Sequence, residues 1–209
     1  MNLKSLSSGI AYKYYAYVCV AIGFLSYSYS YNVTGITKSD PDLFDWKIEN
    51  IAEGANWKSY HGEDLYNSVQ SIEELELNMA AAAVHAEFAY SDTMLIKTSE
   101  FGESNKALAV VNGSFFNMSE GGSVVFFKRN DEIINSGGSI RQYRENGAVA
   151  IDESGLVSVV DIPADGWQTI EQPDVLTSGP LLIFEDEIQE FKEEPFNDNR
   201  HPRTAVGIT

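Results

Sequence analysis

This 209-residue chain has very little cysteine, few basic side chains and no long apolar run. Its single cysteine, Cys19, lies inside the apolar run from Ala16 to Leu25 near the N-terminus. If this run is removed as a leader, the mature chain contains no cysteine. That excludes disulfides, thiolate catalysis and cysteine-ligated zinc, and it leaves stability to core packing.

Basic residues are scarce, with 14 Lys and Arg against 31 Asp and Glu, so the formal net charge is -17. Nucleic acids and anionic membrane surfaces are bound mainly through Lys and Arg that neutralise phosphates. We therefore expect no nucleic-acid partner. An anionic substrate would need a local cluster of basic residues to hold it.

Histidine is also rare, and His61, His85 and His201 are far apart in the sequence. The chain has no His-x-x-x-His or Asp-x-Asp-x-Asp pattern, which are common signatures of metal sites. The sequence therefore predicts no metal site.

The N-terminus has the order of a secretory signal. Lys4 and Lys13 precede the apolar run, and Ser28-Tyr29-Ser30 after it is a plausible cleavage site. The run is shorter than the roughly 20 apolar residues that span a bilayer, so a retained anchor is the weaker alternative. We expect residues 1–30 to be a signal peptide and the protein to be secreted, periplasmic or at the cell surface, without stable membrane insertion after cleavage.

The remaining chain divides into an irregular lead-in, residues 31–70, and a domain over residues 71–209. Ser71 followed by Glu74 has the form of a capping box, and the segment to Ala89 is rich in Glu, Leu, Met and Ala. This composition predicts a helix from Ser71 to Ala89.

Short apolar runs separated by turn residues follow, and they predict consecutive strands. Ala107 to Val111 is expected to be one strand. Three hairpins are expected from the pairs Ser123 to Phe127 with Glu132 to Ile134, Ala148 to Ile151 with Leu156 to Val160, and Leu181 to Phe184 with Ile188 to Phe191. The predicted fold class is α+β, with a large, mostly antiparallel or mixed β-sheet built from hairpins and few helices.

Two turns at strand ends are candidate parts of a site. In Asn112-Gly-Ser-Phe-Phe-Asn117 the chain turns at Gly113, and the Asn112 amide can bind a hydroxyl or phosphoryl oxygen. The alternative is a tight turn whose two phenylalanines fill the core. Ser178 and Gly179 precede Pro180 in a second turn, but the glycines and strand-to-helix context of a nucleophile elbow are missing, so a Ser-His-Asp hydrolase is not expected.

Arg200, His201 and Arg203 form the densest basic group in the chain. Guanidinium groups make paired hydrogen bonds to phosphate or carboxylate oxygens. On an alternating strand, Arg203 would be held rigidly on the face opposite Thr204. The alternative is surface ion pairing with the acidic hairpin that precedes this group.

Taken in order, Ala109-Val-Val-Asn-Gly-Ser-Phe-Phe-Asn117, Thr177-Ser-Gly-Pro-Leu-Leu182 and Arg200-His-Pro-Arg-Thr-Ala-Val-Gly207 resemble the phosphodiester glycosidase family. This is the family of the enzyme that uncovers mannose 6-phosphate. The resemblance covers roughly residues 85–209, although family members commonly have a second glycine where this chain has Ser114.

The resemblance implies hydrolysis of a sugar 1-phosphodiester, with a glycan or sugar phosphate as the substrate. Phosphate is a good leaving group that needs charge stabilisation more than protonation. The implied catalytic residues are Arg203, Asn112 and His201. The implied substrate-binding residues are Arg200, Gly113, Ser178, Gly179 and Thr204. No cofactor is implied, and the involvement of a divalent ion stays open.

The family continues beyond this Arg-Thr segment with Asp-Gly-Arg and Asp-Gly-Gly segments, which do not follow Thr209. We therefore expect the chain to be a fragment with little activity by itself. The alternative function is an exported, non-catalytic module in which Asn112, Trp167 and the basic group bind glycan or cell-wall phosphate without cleaving it. For Trp167 itself, a role in the core is the preferred interpretation.

Overall fold

The computed structural model describes residues 15–16, 45–63, 69–81, 84–138, 140, 142–190 and 192–209. These residues form mostly antiparallel β-structure with few helices, as expected from the sequence. The strands are β1 Tyr15–Ala16, β2 Lys47–Ala52, β3 Ala55–Gly62, β4 Gln70–Leu77, β5 Ala107–Ala109, β6 Phe126–Arg129, β7 Glu132–Ser136, β8 Gly147–Ile151, β9 Val157–Asp161, β10 Asp174–Ser178, β11 Ile183–Phe184 and β12 Glu187–Ile188. The α-helices are α1 Thr98–Asn105 and α2 Pro195–Asp198.

The largest sheet has five antiparallel strands in the order β7-β6-β10-β8-β9. Its two hairpins, β6–β7 and β8–β9, confirm the hairpins expected there from the sequence. Asn130 and Asp131 both have positive φ angles between β6 and β7, which is typical of the tight turns that join antiparallel strands. Between β8 and β9, the Asp152 carboxylate accepts hydrogen bonds from the backbone N–H groups of Ser154 and Leu156.

The core lies on one face of this sheet. Phe126, Ala148, Ala150 and Val175 pack there against Trp167, which is 6% exposed. The indole Nε1–H of Trp167 donates to the backbone carbonyl of Glu145 at 2.8 Å. Because its ring is covered, Trp167 cannot offer the aromatic face that the alternative binding function assigned to it, and that assignment is wrong.

The helix expected from Ser71 to Ala89 is also wrong. Gln70–Leu77 is strand β4, which pairs antiparallel with β3 along its whole length. Residues 84–90 have no regular structure. Gln70 and Ile72 are buried, whereas Ser71 and Glu73, which alternate with them, are exposed, so the buried side follows the period of two of a strand. Pairing with β3 overrides the local helix propensity.

The lead-in expected to be irregular contains regular strands in its described part. β2 and β3 form an antiparallel pair, and β4 adds the third strand of their sheet. The pairing of β3 with β4 crosses residue 70, where the sequence suggested a division. The wider division of the chain stays a prediction.

The remaining strands are short. Tyr15–Ala16 in β1 pairs in parallel with β5, which occupies the first part of the strand expected from Ala107 to Val111. β11 and β12 form the third expected hairpin, although it is shorter than predicted. The strand expected through Arg203 is wrong, because residues 201–209 have no regular secondary structure.

Apart from β1, the predicted signal peptide lies outside the described residues. Within the described ranges, no helix combines the length and apolar character needed to cross a bilayer.

Candidate functional site

The loop after β5 is fixed against strand β10. The Ser114 hydroxyl donates to the backbone carbonyl of Thr177 at 2.6 Å. A Cβ atom on Gly113 would lie only 2.8 Å from Cδ2 of Leu176, so glycine allows the loop to approach this closely. The Asn-Gly motif is therefore anchored on the strand that carries the Thr-Ser-Gly-Pro motif.

The C-terminal segment reaches the same loop. The Thr204 hydroxyl donates to Oδ1 of Asn112 at 3.1 Å, across 92 positions of sequence. This bond uses the amide oxygen of Asn112. The amide nitrogen, which can only donate, has no partner among the described residues and is available to an oxygen of a ligand.

The turn at Gly179 packs against the segment that leads into β8. A Cβ atom on Gly179 would lie 2.7 Å from the carbonyl carbon of Arg144 and 2.9 Å from the carbonyl oxygen of Tyr143. The side chain of Asn146 accepts a hydrogen bond from the backbone of Leu181 at 2.9 Å, which holds the other end of the turn. Only a glycine leaves room for this contact.

A single aromatic ring, that of Phe196 in α2, joins these segments. The guanidinium carbon of Arg144 lies 4.2 Å from the centroid of this ring, and that of Arg203 lies 4.6 Å from it. The Phe115 ring lies 5.9 Å from it, centroid to centroid. We call Phe115, Arg144, Phe196 and Arg203 the Phe196 cluster. Cations at such distances from an aromatic face are attracted by its electrons.

Within the described part of the chain, the charge of Arg203 is not balanced by an ion pair. Its Nη2 donates to the backbone carbonyls of Phe196 and, at 3.3 Å, Asn199. No carboxylate among the described residues pairs with it. Burial and the nearby charge of Arg144 both lower the pKa of Arg203. Even with a lowered pKa, a guanidinium remains protonated in proteins. Arg203 is therefore a partly desolvated cation, and such a cation favours a bound anion.

Arg144, in contrast, has a counter-ion. Its Nη2 lies 3.1 Å from Oε1 of Glu194, and its Nε donates to the same oxygen at 3.4 Å. The Tyr143 hydroxyl also donates to the Glu194 carboxylate, which is buried. Glu194 thus ties the start of α2 to the segment before β8.

Residues 105–209, half of the chain, match the family model described as phosphodiester glycosidase. This chain belongs to the phosphodiester glycosidase family. The matched residues include all three motifs, the five-stranded sheet and the Phe196 cluster. Searches of curated proteins and of solved structures found no match. Family membership indicates a glycosidase-type hydrolase in general terms.

Several residues suggested by the resemblance to phosphodiester glycosidases come together. Asn112, Gly113 and Thr204 lie at one junction, where the first and third motifs meet. Gly179 adjoins Arg144, and Arg203 adjoins Phe196. Ser178 ends β10 and is partly exposed. Its role stays a prediction.

Arg200 and His201 are exposed, and neither forms a hydrogen bond or an ion pair with another candidate residue among those that the structure describes. Their roles in this phosphodiester glycosidase also stay predictions. Arg203 forms no ion pair with the described residues of the acidic hairpin, so the alternative interpretation is not supported for this arginine.

Sequence reasoning missed Arg144, Glu194 and Phe196. The sequence contained one signal for Arg144. The segment Arg141-Gln-Tyr-Arg144 has two arginines shortly before an apolar run, in a chain with few basic residues. The contacts of Phe196 and Glu194 had no such signal, since neither residue belongs to a motif.

The described residues include no group of three or more His, Cys, Asp and Glu side chains that could hold a metal ion.

Proposed function

We propose that this protein hydrolyses a sugar 1-phosphodiester to a free sugar and a phosphate monoester. A water oxygen attacks the anomeric carbon, and the bond from that carbon to the phosphate oxygen breaks. The bonding electron pair leaves with the phosphate, and the proton of the water passes to solvent or to a base. The observation that carries the proposal is the unpaired charge of Arg203 beside three converging motifs of the family.

The chemistry explains why an arginine suits this position. Ordinary glycosidases protonate a poor leaving group with a carboxylic acid, whereas a phosphate leaves as a stable anion. The main requirement is a fixed positive charge where negative charge builds up as the bond breaks. Arg203 meets it because its guanidinium is held by the Phe196 ring and by backbone carbonyls rather than by a carboxylate.

The remaining candidates act in binding. In this proposal the free amide N–H groups of Asn112 bind a sugar or phosphoryl oxygen, and Thr204 holds Asn112 by its carbonyl oxygen. Gly113 allows close packing against the Leu176 side chain, and Gly179 allows close contact with the backbone of Tyr143 and Arg144. Ser178 contributes a hydroxyl from the end of β10, and Arg200 and His201 contribute from the exposed segment before Arg203.

The test compares purified wild-type protein with Arg203→Ala on a panel of sugar 1-(methyl phosphate) diesters, with release of free reducing sugar as the readout. Loss of a key charge-stabilising donor commonly lowers kcat by roughly 100-fold or more, and we expect that loss here. Lys97→Ala, which removes an exposed cation before α1, is the matched control and should keep wild-type turnover. Near-normal turnover of Arg203→Ala would exclude it from the mechanism.

Binding without hydrolysis is the second candidate function, and the unpaired charge of Arg203 supports it equally. One experimental result distinguishes hydrolysis from binding alone. Wild-type protein that binds methyl phosphate but releases no sugar from any diester of the panel would favour a binding module, although one without Trp167 as a contact residue.

We further propose that residues 1–30 direct export of the protein and are removed from the mature chain. The proposal rests on the order of Lys4, Lys13, the apolar run and Ser28-Tyr29-Ser30. Mass spectrometry of the protein recovered outside the producing cell should give an N-terminus near Tyr31. Recovery of the protein only inside the cell, with Met1 or Asn2 at its N-terminus, contradicts it.

A further inference from the structure

We propose that Arg144 is a second phosphate-binding residue, which acts together with Arg203, and that the Glu194 carboxylate is its counter-ion while the site is empty. This inference rests on the proposed function because it concerns the same phosphate. It adds a residue and an internal counter-ion that none of the three family motifs contains.

The two arginines share one neighbour. Both guanidinium carbons lie within 4.6 Å of the centroid of the Phe196 ring, and the charge of Arg144 contributes to lowering the pKa of Arg203. These two like charges repel each other, and an anion that contacts both guanidinium groups relieves that repulsion. Phosphate has enough oxygens to accept hydrogen bonds from two guanidinium groups at once.

The exposure of the side chains differs in the way that this role requires. The Arg144 side chain is 28% exposed, whereas that of its partner Glu194 is 7% exposed. The guanidinium is therefore accessible to a small anion, while the carboxylate lies behind it. Glu194 is bonded to Nε and Nη2 of Arg144, and Nη1 has no partner among the described residues.

The charges of the cluster leave room for an anion. Among the described residues, Glu194 is the one carboxylate that pairs with Arg144 or Arg203. The Lys192 ammonium lies 5.2 Å from the centroid of the Tyr143 ring beside it. This local excess of positive charge occurs in a chain whose net charge is -17. A cluster that only stabilised the fold would gain nothing from leaving Arg203 without a counter-ion.

Arg144 also lies where the motifs meet. Its backbone contacts Gly179 of the second motif, and its guanidinium stacks on the ring that contacts Phe115 of the first and Arg203 of the third. A phosphate held by both arginines would thus lie among the segments that carry the three motifs.

The test measures binding of inorganic phosphate by isothermal titration calorimetry at constant ionic strength, with Arg144→Gln and Glu194→Gln as the paired variants. Arg144→Gln removes charge-assisted hydrogen bonds and should weaken phosphate binding by roughly tenfold. Glu194→Gln keeps the shape and an acceptor for Tyr143 but removes the competing charge, so it should tighten binding severalfold. Lys97→Gln is the control and should bind as the wild type does.

The opposite signs separate a binding role from a structural one. If Arg144 and Glu194 only brace α2, both variants disturb Arg203 and weaken phosphate binding, or both leave it unchanged, and either result overturns the inference. Should Arg144→Gln fail to fold by circular dichroism, Arg144→Lys replaces it. The lysine keeps the charge but cannot form the planar pair of bonds, so an intermediate loss is expected and wild-type affinity contradicts the inference.

The result is also distinct from the test of hydrolysis. Phosphate binding with the predicted signs but no sugar release would remove the proposed function and keep the two-arginine site. Sugar release that depends on Arg203, with unchanged phosphate affinity in Arg144→Gln, would keep the function and remove Arg144 from the site.

Discussion

Thr177 is the residue that connects the core with the candidate site. Its hydroxyl is fully buried and lies 3.0 Å from the carbonyl oxygen of Phe126 and 3.2 Å from Oε1 of Glu145. The Glu145 carboxylate is buried as well and accepts from the backbone N–H groups of Phe126 and Gly138. The Thr177 carbonyl accepts the bond from Ser114 that anchors the Asn-Gly loop. One position thus serves both stability and site geometry.

We predict that Thr177→Val lowers the free energy of unfolding by about 1–3 kcal/mol, because buried acceptors lose a donor that water cannot replace. Thr169→Val is the matched control. The Thr169 hydroxyl also donates to a carbonyl, that of Gly166 at 2.8 Å, but it is exposed and water can take its place. Urea unfolding monitored by circular dichroism gives both values, and equal losses in the two variants would refute the argument.

At the residue scale the sequence predicts the motif side chains and misses their partners. Asn112, Thr204 and Arg203 are recognisable because each belongs to a motif whose chemistry suits a phosphate. Arg144 and Glu194 are 50 positions apart, and Phe196 contacts residues in three segments. Such contacts depend on how the sheet brings distant loops together, which a local pattern does not encode.

At the scale of elements, local composition predicted a helix where the structure has strand β4. The segment is rich in strong helix formers, yet its glutamates are matched by β3 rather than by a helical neighbour. Lys58 of β3 pairs with Glu74 at 3.3 Å and with Glu76 at 3.2 Å, and Trp57 Nε1 donates to Glu73 at 2.8 Å. The hairpins of the large sheet were predictable, in contrast, because their turn residues and alternation are both local signals.

The pairing of β3 with β4 predicts that the contribution of Glu76 to the free energy of unfolding depends on pH. The hydrogen bond from the Asn56 side chain, followed by that from Lys58, lowers the pKa of Glu76 below its usual value of 4.5. A lowered folded-state pKa means that the contribution to stability is present above pH 4.5 and is lost as the pH falls through the folded-state value. Glu76 is half exposed, so the contribution is small, about a few tenths of a kcal/mol.

The measurement is urea unfolding of wild type and Glu76→Gln at neutral pH and again near pH 3, which is below the usual pKa of a glutamate. The variant should be less stable at neutral pH, and the difference should shrink in acid. Glu49→Gln, at an exposed position on β2, should show no such change. A Glu76→Gln difference that stays constant between the two pH values would exclude the charge of Glu76 as its cause.

At the scale of the whole molecule, the charge distribution sets the site apart from its surroundings. A chain with net charge -17 repels anions at long range, whereas the Phe196 cluster holds positive charge that is not fully paired. The net charge follows directly from counting residues in the sequence, and the sequence also indicates that an anionic substrate would need a local basic group. Which basic residues form that group depends on packing around Phe196, and one of the two was not foreseen.

These opposing charges predict different responses to two salts. Raising NaCl from about 0.02 M to about 0.2 M shortens the screening length and weakens the self-repulsion of the folded chain, so Tm should rise. Sodium phosphate at equal ionic strength should raise Tm further, because binding at Arg203 stabilises the native state by mass action. Arg203→Ala should keep the response to NaCl and lose the additional response to phosphate. Identical curves for the two salts in the wild type would show that Tm responds to screening alone, without a phosphate site at Arg203.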